Sequence, residues 1–111
     1  MNDCLFCKII SGEIPSTKVY EDELCYAFYD IAPMAPKHFL VVPKKHLGSA
    51  AEITEEDAAT VGHIFAVIAE LTKELEFDGF RVVTNCGEIA GQTVHHLHFH
   101  VLGGKPLGAF N

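Results

Sequence analysis

Basic residues are scarce in this chain. Eight Lys and Arg stand against fifteen Asp and Glu, a formal net charge of −7. A protein that holds nucleic acid non-specifically needs a basic face to neutralise phosphates, so that class is excluded. A small phosphate-bearing molecule stays within reach, provided local donors hold it and not the overall field. Long apolar runs are absent as well: none approaches the roughly 18 residues of a membrane-spanning helix, and no membrane partner is expected. The first residues, Met1-Asn2-Asp3-Cys4, carry neither a basic segment nor a hydrophobic one, so no secretory signal is expected either. Internal repeats, low-complexity tracts and linker-like stretches are missing. The expectation is one domain over residues 1–111, located in the cytoplasm.

What is present is apolar and rich in histidine. About half the residues are hydrophobic, with eight Phe and three Tyr, enough for a packed core. The four cysteines are Cys4, Cys7, Cys25 and Cys86. In a cytosolic chain Cys4-x-x-Cys7 reads as metal-binding or redox, not as part of a disulfide framework. The strongest signal is His96-Leu97-His98-Phe99-His100-Val101-Leu102. Alternate residues of an extended strand face the same way, so three imidazoles would line one surface while Leu97, Phe99 and Val101 face a core. Imidazole suits nucleophilic attack, proton transfer and metal ligation near neutral pH.

The remaining elements follow from patterning. Residues 4–10 predict a short helical turn, closed by Ser11-Gly12 and Pro15. Residues 18–21 and 24–29 read as strands joined by Asp22-Glu23, and residues 38–42 as a third after the proline-broken loop 32–36. Thr54-Glu55-Glu56-Asp57 resembles a capping box with Asp in place of Glu. Behind it Val61, Ile64, Phe65, Ile68, Leu71 and Leu75 form an apolar stripe at helical spacing, with Asp78-Gly79 as the stop. His63 reads as a surface residue. Residues 80–84 give a fourth strand, 85–91 a glycine-containing turn, and 94–102 a fifth strand. The expected fold class is α+β: a five-stranded antiparallel sheet, one long helix and a short N-terminal helix.

Spacing restricts what the histidine strand can do. Same-face neighbours lie roughly 7 Å apart along a strand, so the outer pair, about 13 Å apart, cannot share one ion. Two arrangements stay open: a His-x-His metal hydrolase, or a nucleophilic histidine beside a polar partner. His38, His46, Cys4 and Cys7 are the other candidate ligands. Two thiolates and two imidazoles would make a closed tetrahedral zinc site, which is structural and uses only one histidine of the three.

These segments together resemble the histidine triad (HIT) family, in its Hint branch of small nucleotide-binding phosphoramidases. The resemblance rests on residues 96–102 with Gly91-Gln92-Thr93-Val94, on Asp30-Ile31-Ala32-Pro33, on residues 35–46 and on Asn85. It covers nearly the whole chain, from about Cys4 to Gly104. The resemblance implies cleavage of a nucleotide at its α-phosphate through a covalent histidine intermediate. It makes His98 the nucleophile, His100 a phosphate or leaving-group contact, His38 an orienting or proton-relay partner, and Thr93 a hydroxyl donor. Asp30 would accept the ribose hydroxyls, with Asn85 near the ribose or phosphate. Gly91, Gln92 and Thr93 would donate to developing charge. Ile31, Phe99 and the apolar set Leu5, Phe6, Ile9, Phe28 and Leu40 complete the implied nucleotide site. Cys4, Cys7, His46 and His96 match the metal ligands of those relatives that carry zinc. His95, the rival fourth ligand, is sent to the opposite face by strand parity.

The implied substrates are purine nucleoside monophosphate derivatives linked to an amine. The implied partner is a second copy of the chain, and no organic cofactor or nucleic acid is expected. Thr93 stands where relatives usually carry Ser, and His95 where they often carry an aromatic. The tail 103–111 lacks the tryptophan found in several Hint proteins. These departures bear on leaving-group preference. A dinucleoside polyphosphate hydrolase, a binding module with vestigial activity and a zinc-dependent hydrolase are the competing readings.

Overall fold

The computed structural model describes residues 3–109; Met1 and Asn2 of the N-terminal reading and Phe110 and Asn111 of the tail lie outside the described residues. Helix α1 (Leu5–Ser11) precedes strands β1 (Lys18–Glu21), β2 (Cys25–Tyr29) and β3 (Lys37–Pro43). Helix α2 (Ala58–Glu74) follows, then β4 (Phe80–Val83) and β5 (Phe99–Gly103). The strands form one antiparallel sheet in the order β1-β2-β3-β5-β4, the α+β architecture expected from the patterning.

The sheet is covered on both faces at its centre, which explains why β3 reads as an unbroken apolar run and not as an alternation. On one face Cys25, Ala27, Phe39, Val41, Phe99 and Val101 pack with Ile64, Val67, Ile68 and Leu71 of α2. On the other, Tyr26, Phe28, Leu40 and Val42 pack with Phe6 and Ile9 of α1. The α2 stripe differs from its sequence reading at two positions: Val67 is buried, and Phe65 is half exposed, its ring edge-on to Phe99 at 5.4 Å between centroids. The helix buries one side centred on Ile64, Val67/Ile68 and Leu71, the i, i+3/i+4, i+7 pattern.

Three boundaries move from those read in the sequence. Helix α2 stops at Glu74, four residues before Asp78, because Glu76 adopts a left-handed φ of 60° and Phe77 N–H returns to Thr72 O at 2.9 Å. The Lys37 ammonium of β3 donates to the orphaned carbonyls of Leu75 and Glu76 at 2.7 and 2.8 Å. The Asp57 carboxylate accepts from Thr54 N–H at 3.0 Å, as the capping motif requires, although it caps a 3-10 turn (Glu55–Asp57) that leads into α2. Strand β5 begins only at Phe99, so residues 94–98 are irregular and His96 and His98 lie outside it. His63 reaches the Asp22 carboxylate at 2.5 Å from its half-exposed position on α2, tying the helix to the β1–β2 turn.

Candidate active site and metal centre

His100 lies in β5 opposite Leu40, and His38 in β3 opposite Leu102, a diagonal pair whose rings stand 5.2 Å apart. His98 precedes β5, with its ring 5.0 Å from that of His100. Although the strand starts late, the alternation persists: His98 and His100 face the α1 side while Leu97 and Phe99 enter the α2 core. Thr84 Oγ1 donates to the His98 carbonyl at 2.7 Å, and Leu97 N–H to Leu47 O, pinning the irregular segment on both sides.

The backbone decides where the ring protons sit. A carbonyl only accepts, so the 2.7 Å contact from His98 Nδ1 to His96 O places a proton on Nδ1. The Nε2 of neutral His98 is therefore a lone pair. The Met34 N–H donates to His38 Nδ1 at 3.0 Å, which leaves the proton of neutral His38 on Nε2. That nitrogen donates to His100 Nδ1 at 3.0 Å, so neutral His100 carries its own proton on Nε2. Burial keeps these partners neutral. It holds His38 below the usual imidazole range against the pull of Asp30, and it pushes His100 down to about 4, helped by His98 and His38.

A cleft of about 370 Å³ opens beside these rings. Its lining includes His98, His100, Asp30, Ile31 and Thr93, together with Leu5, Phe6, Ile9, Phe28 and Leu40. Asp30 Oδ1 accepts from Ala32 N–H at 2.8 Å, while Oδ2 lies 3.5 Å from His38 Nε2. Ile14, Pro15, Ser16, Tyr29 and Val94 also line the cleft. Patterning missed the first three because they belong to the turn after α1, whose Gly12 cap (φ 89°) folds them back.

Four residues assigned to nucleotide binding stand elsewhere. The Gln92 carboxamide is buried and committed: Nε2 donates to Gly48 O at 2.6 Å and Val94 O at 3.0 Å, and Oε1 accepts from Gly87 N–H at 2.8 Å. It braces the loop 87–94, which corrects its reading as a donor to substrate. Phe99 packs in the α2 core on the far face, since it alternates with His98 and His100. Asn85 and Gly91 neighbour one another in the turn before residue 92 and are not part of the cleft lining.

The second cluster lies at the N-terminal end of the same segment. The ligand atoms of Cys4, Cys7, His46 and His96 lie within 4.8 Å of one another. His96 Nδ1 is 3.2 Å from Cys4 Sγ, 3.6 Å from Cys7 Sγ and 3.1 Å from His46 Nδ1; Cys7 Sγ is 3.4 Å from His46 Nδ1. His96 Nε2 donates to Pro43 O at 2.9 Å, so Nδ1 of the neutral ring is a lone pair. Burial pushes this fully enclosed ring down to about 4. Tetrahedral zinc, with bonds of about 2.0–2.3 Å, spaces its ligand atoms by roughly 3.3–3.8 Å, so the donor set fits that ion. His95 is outside this set; its exposed ring lies 3.6 Å from Glu52 Oε2.

The family model described as HIT domain matches residues 11–107. An uncharacterized HIT-like protein of Synechocystis sp. is 50% identical over 106 residues, covering 95% of this chain and 93% of the relative. Among solved structures, a histidine triad protein from Clostridium difficile is 53% identical, with a TM-score of 0.94 over 100% of this chain and 98% of that one. A HIT family hydrolase from Clostridium thermocellum is 45% identical, with a TM-score of 0.94 over 99% and 97% of the two chains.

Proposed function

The chain belongs to the HIT domain family, and from that premise we propose that it hydrolyses purine nucleoside phosphoramidates through a nucleotidyl intermediate on His98. The observation that carries this reading is the His98 tautomer: Nδ1–H bound to the His96 carbonyl and an Nε2 lone pair in the cleft. Neutral imidazole held this way is a nucleophile that needs no deprotonation. The HIT family hydrolase among the similar structures supports the hydrolase part of this reading.

In the first step His98 Nε2 bonds to the α-phosphorus, the phosphorus–amine bond breaks, and the departing amine takes up one proton from solvent, which the second step returns. The His96 carbonyl stabilises the positive charge that then spreads over the imidazole. His100 Nε2–H supplies a donor for phosphoryl oxygen, kept in that tautomer by the Met34–His38–His100 chain. Thr93, exposed at the cleft rim, supplies a hydroxyl toward the leaving group. In the second step water bonds to phosphorus, the phosphorus–nitrogen bond to His98 breaks, and the nucleoside monophosphate leaves with one proton released. Asp30 takes the ribose hydroxyls, and the apolar wall from α1 and β2 takes the base.

Cys4, Cys7, His46 and His96 would hold zinc, which when bound supplies a structural cross-link with no open position. The reading includes a homodimer through the β4 edge of the sheet, where Phe80 stands half exposed. Comparison of kcat/KM on an adenosine phosphoramidate and on a diadenosine polyphosphate tests the leaving-group class. A preference of about tenfold or more for the phosphoramidate is expected; the reverse preference transfers the same nucleophile to polyphosphate hydrolysis.

A further inference from the structure

The two histidine clusters share more than a stretch of sequence. Helix α1 has seven residues, well short of the length at which a helix stands by itself in water, and buries only Phe6 and Ile9. Its N-terminus is built from metal-ligand atoms: Cys4 is the cap residue, its Sγ accepting from Cys7 N–H at 3.4 Å. Leu5, Phe6 and Ile9 of the same helix form one wall of the cleft. The Phe6 ring lies edge-on to His98 at 5.0 Å, to His96 at 6.0 Å and to Phe28 at 5.5 Å.

His96 is the second link. Its ring Nδ1 faces the two thiols, its Nε2 is tied to Pro43, and its carbonyl sets the His98 tautomer. A third link is spatial. A separate cleft of about 490 Å³ exposes Cys4 and His46, and Leu5, Thr93 and Val94 line both this cleft and the one beside His98.

We propose that metal binding at Cys4, Cys7, His46 and His96 and nucleotide binding beside His98 are positively coupled through α1 and His96. The inference rests on the functional reading above for both ligands. A metal ion cross-links three distant points of the chain and so removes the motional freedom of α1 and of residues 94–98. A nucleotide seated against Leu5, Phe6 and Ile9 orders the same two segments. Whichever ligand binds first meets the ordering cost for the other, and the coupling factor is the same in both directions.

Calorimetric titration of the reduced protein with AMP, once chelated and once loaded with zinc, measures the coupling. Zinc titration with and without saturating AMP closes the cycle. AMP affinity rising by about fivefold or more on zinc loading is expected, with the same factor for zinc on adding AMP. Equal AMP affinity within twofold in two forms that both bind would overturn the coupling. Failure of AMP to bind either form, or of zinc to bind at all, overturns it at its premise instead and identifies which premise is wrong. Hydrogen exchange guards against a chelated form that has merely unfolded. Zinc is expected to raise protection in residues 5–11 and 94–98 by more than in β1 and β2, which rise only by the gain in global stability, whereas an equal rise across the sheet contradicts the local mechanism. Phe6→Leu, which keeps all four ligands, is expected to bind zinc and bring the coupling factor toward one; a factor unchanged in this variant also contradicts the proposal.

Discussion

Two groups of histidines stand side by side on the α1 face, and their protons are arranged in opposite ways. At Cys4, Cys7, His46 and His96, the His96 ring turns its proton outward to Pro43 O, so its lone pair points among the thiols. At His38 and His100, donors and acceptors alternate from the Met34 N–H onward, while His98 is fixed separately by a carbonyl. Converging lone pairs suit a cation; an alternating chain fixes tautomers and presents a lone pair on one ring and a proton on its neighbour. The side chain is the same in both groups. Its role follows from which backbone group meets its second nitrogen.

Removing His98, the proposed nucleophile, separates the groups most sharply. His98→Ala is expected to lower kcat on an adenosine phosphoramidate by about 10⁴-fold or more, while AMP affinity and the zinc content of the protein stay within about threefold of wild type. Steady-state kinetics, calorimetry and metal analysis check this together.

Removing the ion is the converse experiment. A ligand present at about 100 times its Kd stabilises by about 2.7 kcal/mol, so chelation is expected to lower Tm by roughly 10 °C. His98, His100 and His38 are not among the four candidate ligands, and differential scanning calorimetry with and without chelator follows the loss.

Acid should act on the buried chain next. An unfolded histidine takes its proton near pH 6.5, whereas folded His100 resists until about 4 and folded His38 also titrates below its usual range. Between pH 6.5 and about 4 the unfolded chain therefore binds more protons, and stability falls as pH falls, by at most about 1.4 kcal/mol per pH unit for each such group. Asp22 and Asp57, held below their usual values by the hydrogen bonds of His63 and Lys45, remain ionised in both states over most of that window. Urea unfolding of chelated protein at pH 7 and pH 5 measures the difference. In the chelated protein His96, also pushed down to about 4 by burial, adds to this loss, and a stability independent of pH there would mean that His38, His96 and His100 take up protons as readily folded as unfolded.

The smallest effect belongs to the opposite face. Lys37→Met removes the ammonium that caps α2 and is expected to cost about 1 kcal/mol, or roughly 4 °C in Tm, with kcat unchanged.

The two faces also differed in how far patterning could read them. The α2 side is apolar packing, and the 3.6-residue period places α2 and the centre of its buried stripe at Ile64, Ile68 and Leu71, with Val67 buried in place of Phe65 and Val61 and Leu75 only partly buried. Its C-terminus was unreadable because the stop is a non-glycine residue, Glu76, in a left-handed conformation held by a lysine from another strand. On the α1 side, His-x-His-x-His and Cys-x-x-Cys were visible, and the apolar cleft residues were named through the family resemblance. The late start of β5, the internal role of Gln92 and the tautomers of His38, His96, His98 and His100 depend on backbone groups. Pro43 O, Met34 N–H, His96 O and Gly87 N–H leave no side-chain signature for a pattern to find.

The proposed function turns on a covalent bond between His98 and the nucleotide. Rapid-quench intact-mass spectrometry of wild-type protein and His98→Ala, mixed in a single turnover with an adenosine phosphoramidate, tests it directly. The expected result is a transient adenylyl adduct on wild type, mapped by peptide analysis to His98 and absent from the variant. An adduct that persists in His98→Ala, or AMP release by wild type with no adduct at any time point under acid-free quench, would contradict it.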